Sequence, residues 1–192
     1  GANSDIFNSE GFHRFKNDDI IKIVTHHWSS HANKGFKIYK KIDDLLASSE
    51  WSDKISFTYI GNTSEDFIFN KTNIIKPLAG LELAEEIKKH DIYVTGSINE
   101  PSGNHHIEAA QCGLPVLYVQ SGGIPEYCKG IGLSFEENNF EEKLRKEFES
   151  IGFFISDHPL SQFKDMYHQY KIKNYLEFKE LGTSNEINIA GT

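Results

Sequence analysis

The sequence predicts an α/β protein: a single Rossmann-like domain with a mostly parallel sheet flanked by helices, and with a long C-terminal helix. Short runs rich in β-branched and aromatic residues alternate with stretches whose apolar residues recur at helical spacing. Loops that carry Gly, Asn, Ser and Pro separate these segments. The length of 192 residues is enough for one domain with a sizeable core.

The predicted strands are short apolar runs, the form of strands buried on both faces of a parallel sheet. They span residues 20–25, 56–60, 74–75, 92–95, 116–119 and 131–135. The predicted helices have apolar residues three and four positions apart, or residues typical of helix termini at their ends. They span residues 36–46, 81–90, 125–130, 139–148 and 159–181. One more predicted helix follows the N-cap residue Asn104 and is ended by Gly113 and Pro115.

The chain divides into three predicted segments. Residues 1–19 are polar and turn-rich and are predicted to be linker-like. Residues 20–181 form the Rossmann-like domain, and residues 182–192 are predicted to be a flexible tail.

Composition excludes several classes of partner. The net charge of −8 argues against a nucleic-acid partner, whose phosphates need a basic surface. No run of about eighteen apolar residues occurs, so no membrane span is predicted. Cys112 and Cys128 are the two cysteines, and we expect them to be free buried thiols in a reducing cytosol.

One stretch, residues 91–127, concentrates residues suited to ligand binding. It is predicted to form a strand, a glycine-bearing loop, a helix, a second strand and a glycine loop. Glu100 lies in the loop after the first of these strands, and Glu108 lies eight positions later in the first turns of the helix. Parallel strands joined by a helix bind ligands at their carboxyl ends, and both glutamates are predicted to lie at that end.

The residue types suggest which ligand this edge would bind. A carboxylate accepts hydrogen bonds from neighbouring hydroxyls, so each glutamate suits a sugar diol. Gly103 permits close backbone approach, and the free N–H groups that open the helix suit a phosphate. Together these features outline a nucleotide-sugar site. Taken singly, either glutamate is better explained as an ordinary solvated acid.

The stretch resembles the sugar-nucleotide half of the retaining, GT-B-fold glycosyltransferases of the group 1 family. In that family two Glu separated by seven residues are followed by a small-residue helix, as at Glu100 and Glu108. A Gly-Leu-Pro-Val strand entry follows at residues 113–116, and a Gly-Gly-x-Pro-Glu loop follows at residues 122–126. The resemblance extends more faintly over residues 6–148.

The resemblance implies a role for each residue that matches the family pattern. Glu100 and Lys34 are the implied catalytic residues, because the first holds the donor sugar and the second contacts the diphosphate. The implied substrate-binding residues are Leu78 for the base, Glu108 for the ribose, Gly103, Asn104 and His105 for the diphosphate, and Gly122 and Gly123 for the sugar.

The loop at residues 26–34 departs from the family, which has an Arg before the Lys-Gly pair seen here at Lys34 and Gly35. His26, His27 and His31 are the side chains in this loop that could donate hydrogen bonds instead. His27 and His31 also have the spacing of a metal pair, but no clustered third ligand completes it, so no metal is expected.

The resemblance implies the donor-binding half of a hexosyltransferase that uses a UDP- or GDP-sugar and transfers the sugar to an acceptor hydroxyl with retention. No cofactor is expected. A missing N-terminal Rossmann-like domain would supply the acceptor site, so this chain alone is expected to be inactive. The full-length protein is expected in the cytoplasm, or peripherally at the inner membrane face.

Two alternatives remain open at this point. The missing Arg favours a degenerate, non-catalytic interaction module. A GT-B-like sugar-nucleotide epimerase half would share the same scaffold. An NAD enzyme is disfavoured because no G-x-G-x-x-G sequence follows the first strand.

Overall fold

The computed structural model describes residues 2–12, 20–63, 65–136 and 138–146. The chain divides into two compact units, Gly1–Glu141 and Glu142–Thr192. All strands of the sheet lie in the first unit, and the described part of the second, residues 142–146, is helical. The predicted helix at residues 159–181 and the predicted tail at residues 182–192 lie outside the described residues.

The first unit is built on a six-stranded, fully parallel sheet with strand order β3-β2-β1-β4-β5-β6, which confirms the predicted α/β fold. The strands are β1 (Ile21–His27), β2 (Ile55–Gly61), β3 (Asn73–Ile75), β4 (Ile92–Thr95), β5 (Val116–Val119) and β6 (Gly132–Phe135). The order reverses between β1 and β4, and a crevice opens beyond the carboxyl ends of strands at such a switch point.

Short helices connect the strands. They are α1 (Phe36–Leu45), α2 (Gly80–Ile87), α3 (His105–Gln111) and α4 (Ile124–Cys128), and a 3₁₀ turn (Ala32–Lys34) precedes α1. Helix α3 begins directly after Asn104, its predicted N-cap residue. Helix α3 stops before Gly113, whose φ of +96° cannot continue a helix.

Strand β1 is longer than predicted, because His26 and His27 belong to the strand and not to the loop after it. Its pairing with β2 continues to the partners His27 and Gly61. A Cβ at Gly61 would lie 1.9 Å from the His27 carbonyl oxygen, so only glycine permits this pairing. The His27 ring is also buried, with its Nε2 hydrogen-bonded 2.5 Å from the Tyr39 hydroxyl.

The core includes part of the N-terminal segment. Phe7 is 6% exposed and lies in one hydrophobic cluster with Ile60, Leu83 and Ile87. The Lys88 ammonium holds the same segment by donating to the Asn8 side-chain oxygen at 3.3 Å and to a backbone carbonyl. Residues 2–12 therefore contribute to the buried core of the first unit.

The two cysteines are free and buried, as expected. Burial raises the pKa of the Cys112 and Cys128 thiols to about 11. No helix in the described part of the chain is both long enough and apolar enough to cross a membrane.

Two glycines bring the loop after β1 against the loop after β4. Gly35 has a φ of +92°, and a Cβ there would lie 2.4 Å from the Gly96 carbonyl carbon. The backbone N–H of Ile98 donates to the Asn33 carbonyl at 2.9 Å beside this contact. Neither loop could approach the other in this way if Gly35 carried a side chain.

A buried carboxylate, Asp43 of α1, holds the chain that leads into β3. It accepts backbone N–H bonds from Asn70, Lys71 and Thr72 at 2.8–3.1 Å, and it also accepts from the Thr72 hydroxyl. Burial alone would raise the pKa of Asp43, but these hydrogen bonds and that from Lys40 hold its pKa well below the usual range. The sequence did not predict this interaction.

We predict that Asp43→Asn lowers the free energy of unfolding by about 3 kcal/mol, because the amide removes the charge and one acceptor from this group of donors. The control is Asp44→Asn, since Asp44 is its 65% exposed neighbour and also pairs with Lys40. The control should change stability by less than about 1 kcal/mol. Urea unfolding of both variants measures the difference, and equal losses would contradict the role of Asp43.

We also predict that Gly35→Ala lowers the free energy of unfolding by more than about 2 kcal/mol, because strain at positive φ adds to a backbone collision. Gly130→Ala is the matched control, since Gly130 has a φ of +85° and open space where a Cβ would lie. It should show the strain alone. If thermal and urea unfolding gave the two variants the same stability, the Gly35–Gly96 contact would not be tight in solution.

Candidate functional site

The switch point of the sheet opens into a cleft of about 590 Å³. Strands β1 and β4 and the segments that follow them contribute its polar lining. The predicted site residues that line it are Lys34, Leu78, Glu100, Gly103, Asn104, His105 and Glu108. Seven of the nine predicted residues are thus brought together, and Gly122 and Gly123 are the two that are not.

Glu108 projects from α3 and pairs with a histidine of β1. Its Oε2 accepts a hydrogen bond from His26 Nε2 at 2.9 Å. The two side chains are only 17% and 9% exposed, so water screens this contact little. The sequence did not predict this pair, although a polar residue at the end of a buried strand is a signal that could have revealed it.

Glu100 pairs with Lys34 across the two loops that the Gly35–Gly96 contact joins. The Lys34 ammonium donates to Glu100 Oε2, and their side chains are 23% and 16% exposed. The cleft therefore has a second acid–base pair beside the one made by Glu108. Both acids take their partner from β1 or from the loop after it.

Gly122 and Gly123 support the Glu100 loop from outside the cleft. The Gly123 N–H donates to the Glu100 carbonyl at 2.8 Å, so this amide is already engaged. A Cβ at Gly122, where φ is +62°, would lie 2.4 Å from the same carbonyl oxygen. The two glycines fix the position of Glu100, and they do not line the cleft.

Gly103 packs closely against the side chains of His105 and Glu100. A Cβ there would lie 2.6 Å from the His105 ring and 3.0 Å from the Glu100 side chain. Asn104 occupies the N-cap position of α3, as predicted, and its side chain makes no capping hydrogen bond. Helix α3 has only seven residues, so its dipole alone is a weak basis for anion binding.

Apolar side chains form another part of the cleft wall. Leu78 lies here, together with Ile6, Phe7, Ile60 and Leu83. These residues also belong to, or pack against, one hydrophobic cluster. The cleft thus combines a contiguous apolar surface with two carboxylates and a lysine.

Four histidines lie close together at the polar side of the cleft, and His26, His27 and His105 line it. The rings of His27 and His105 are 4.7 Å apart, those of His105 and His106 are 4.9 Å apart, and His26 is 6.3 Å from His105. Burial, reinforced by neighbouring positive charge, lowers the pKa of His27 and His105 well below the ordinary value. Both rings are neutral at pH 7. Among the described residues, no group of three or more His, Cys, Asp or Glu side chains is placed to hold a metal ion.

These lowered pKa values predict that stability falls as the pH drops below about 6.5, because the unfolded chain then binds protons that the folded chain does not. Between pH 7.5 and 5.5, each histidine that stays neutral in the folded chain lowers the free energy of unfolding by up to about 1.4 kcal/mol. His27→Gln should reduce the loss by that amount, and His31→Gln, at an exposed position, should not. Urea unfolding at both pH values tests this, and equal losses in the two variants would contradict it.

Comparison with known proteins gives a family match for part of the chain. Residues 65–152 match the family described as Glycosyl transferases group 1. This range contains Leu78, the two glutamates and the glycine loop. No functionally characterised protein matched in a comparison of sequences.

Solved structures of glycosyltransferases share the fold. WaaG, a glycosyltransferase involved in lipopolysaccharide biosynthesis, superposes with a TM-score of 0.57 at 17% identity, covering 79% of this chain and 41% of WaaG. The C-terminal domain of the group 1 glycosyl transferase LpcC from Francisella tularensis gives 0.56 at 17% identity, covering 84% of this chain and 91% of that domain. Sucrose-phosphate synthase from Thermosynechococcus elongatus gives a TM-score of 0.55 at 16% identity, covering 82% of this chain and 42% of the synthase.

The chain therefore spans less than half the length of WaaG and of sucrose-phosphate synthase, but nearly the whole of the LpcC domain. At these identities the superpositions establish the fold alone, and the sequence match to the group 1 family covers residues 65–152. The resemblance to the group 1, GT-B-fold glycosyltransferases that the motifs predicted is confirmed.

Proposed function

We propose that this cleft binds a nucleotide-diphospho-sugar and that the chain is the donor-binding half of a retaining glycosyltransferase. The observation that carries the proposal is that Lys34, Glu100 and Glu108 line one cleft together with a contiguous apolar surface. A nucleotide-sugar carries the complementary groups: a flat base for the apolar surface, two diols for the carboxylates and a diphosphate for the lysine. The cleft volume of about 590 Å³ lies in the range usual for such ligands.

The lining residues suggest how the ligand is held. The base packs on the apolar wall at Leu78, and Glu108 accepts hydrogen bonds from the ribose hydroxyls. Glu100 accepts from the donor sugar, with its loop held in place by Gly122 and Gly123. Because the Gly123 amide is already bonded to Glu100, we assign these glycines a supporting role and not direct contact with the sugar.

The diphosphate lies, in this proposal, between Lys34 and the backbone N–H groups of residues 103–105. Lys34 shares its ammonium between Glu100 and a phosphate oxygen when the ligand is bound. A fixed cation at this place stabilises the charge that develops on the leaving diphosphate, so the proposal requires no metal ion. Titration with UDP and with GDP decides whether the base is uracil or guanine.

Transfer needs an acceptor site, which we propose lies on a separate N-terminal domain of the same protein. The short span of this chain relative to WaaG supports this division. The chain alone should therefore bind the donor and transfer little or no sugar. The two free thiols support a cytoplasmic setting for the complete protein.

We predict that the chain binds UDP or GDP, or one of their sugars, and that Glu108→Ala weakens binding about 10- to 100-fold, because a charged acceptor is worth about 1.5–3 kcal/mol. Isothermal titration calorimetry measures both affinities. Glu85→Ala, an exposed change on α2 outside the cleft, is the control and should bind normally. Absence of binding by the wild-type chain would favour a non-catalytic module.

A further inference from the structure

We propose that His26 is a positioning residue that aims the Glu108 carboxylate at the ribose hydroxyls of the bound nucleotide. This inference rests on the proposed function, since it assigns a residue to the same site. It replaces the expectation that histidines of this segment donate to the diphosphate in place of the missing Arg.

The geometry of Glu108 is the first step. Its Oε2 accepts from His26 Nε2 at 2.9 Å, whereas Oε1 has no hydrogen-bond partner among the described residues. One oxygen is thus fixed by the protein, and the other is left to accept from a ligand. The carboxylate plane is set before the ligand arrives.

The second step is that His26 is itself held firmly. Its backbone N–H donates to the Tyr93 hydroxyl at 3.3 Å, and that hydroxyl also lies 3.3 Å from the His26 carbonyl oxygen. The His26 ring contacts the Tyr93 ring edge-on, with centroids 5.4 Å apart. The pairing of β1 with β2 continues past His26, which holds its backbone in the sheet while its ring reaches Glu108 of α3.

The third step is the protonation of the His26 ring. Nδ1 is buried and has no hydrogen-bond partner in the described structure, so the ring's one strong polar contact is that to Glu108. A carboxylate accepts and cannot donate, so Nε2 must carry a proton. The ring therefore acts as a fixed donor whose only polar target is Glu108.

Fixing a side chain before binding removes an ordering cost that the ligand would otherwise meet. Without His26, Glu108 would have to be oriented when the ribose binds. The loss should appear specifically in contacts to the ribose hydroxyls. A general loosening of the fold would instead weaken binding of every nucleotide equally.

The test compares UDP with 2′-deoxy-UDP, and GDP with 2′-deoxy-GDP, by calorimetry on the full 192-residue chain. The wild-type chain should prefer the ribonucleotide. His26→Ala should reduce that preference about 3- to 10-fold, the size expected for one unfixed side chain. His26→Gln, which retains an N–H donor, should restore most of it.

Two controls separate the outcomes. His31→Ala removes an exposed histidine near the cleft and should leave the preference unchanged. In a Glu108→Ala background, His26→Ala should have no further effect on the preference, because its target is gone. If His26→Ala proves unstable, the Gln variant and this background carry the test.

An unchanged ribose preference in folded His26→Ala would overturn the inference while leaving the proposed function intact. Equal weakening for the ribose and deoxyribose forms would also overturn it, since that result indicates a merely structural role. If the wild-type chain bound none of the four nucleotides, the proposed function itself would fail, and the inference with it.

Discussion

The contact between Gly35 and Gly96 decides where the loops after β1 and β4 meet, and the polar wall of the cleft depends on it. These two strands are adjacent because the sheet reverses its order between them. Adjacent strands alone do not bring the backbones of their two loops into contact. Because Gly35 and Gly96 have no Cβ, the backbones of the two loops are in contact, and Lys34 of one loop pairs with Glu100 of the other. A steric condition in the backbone thus produces the charge arrangement of the site.

Each acid of the cleft has a base beside it before any ligand binds. A carboxylate as little exposed as Glu100 or Glu108 would otherwise be poorly solvated, which is costly. Lys34 and His26 offset that cost, and both come from the same short part of the chain. The pairs differ in their donors, because Lys34 donates from an ammonium and His26 donates from an imidazole nitrogen. An incoming diphosphate would be drawn towards the lysine side.

Much of the fold could be predicted because its signals are local. Strands β4 and β5 begin and end at the predicted residues, since Gly96 follows the first apolar run, Pro115 precedes the second, and polar residues bound their other ends. The end of β1 could not be predicted in this way. Two consecutive histidines are typical of a loop. Their burial depends on contacts distant in sequence, namely the pairing of His27 with Gly61 and its hydrogen bond to Tyr39. Asp43 was missed for the same reason, because the backbone donors that it binds lie 27 or more residues away. The spacing of Glu100 and Glu108 predicted that they share one site. It could not predict that Gly122 and Gly123 pack against the Glu100 backbone and do not line the cleft.

The burial of both cysteines has a practical consequence for following this molecule in solution. Cys112 and Cys128 are 0% exposed, and their thiols stay protonated up to strongly alkaline pH. Thiolate is the form that reacts with maleimides and iodoacetamides, so the native side chains should stay silent towards these labels. A cysteine introduced in place of Trp28, which is 71% exposed and lines the cleft, would be the one residue that a fluorescent maleimide labels. Its emission could report occupancy of the cleft with no need to remove the natural thiols first.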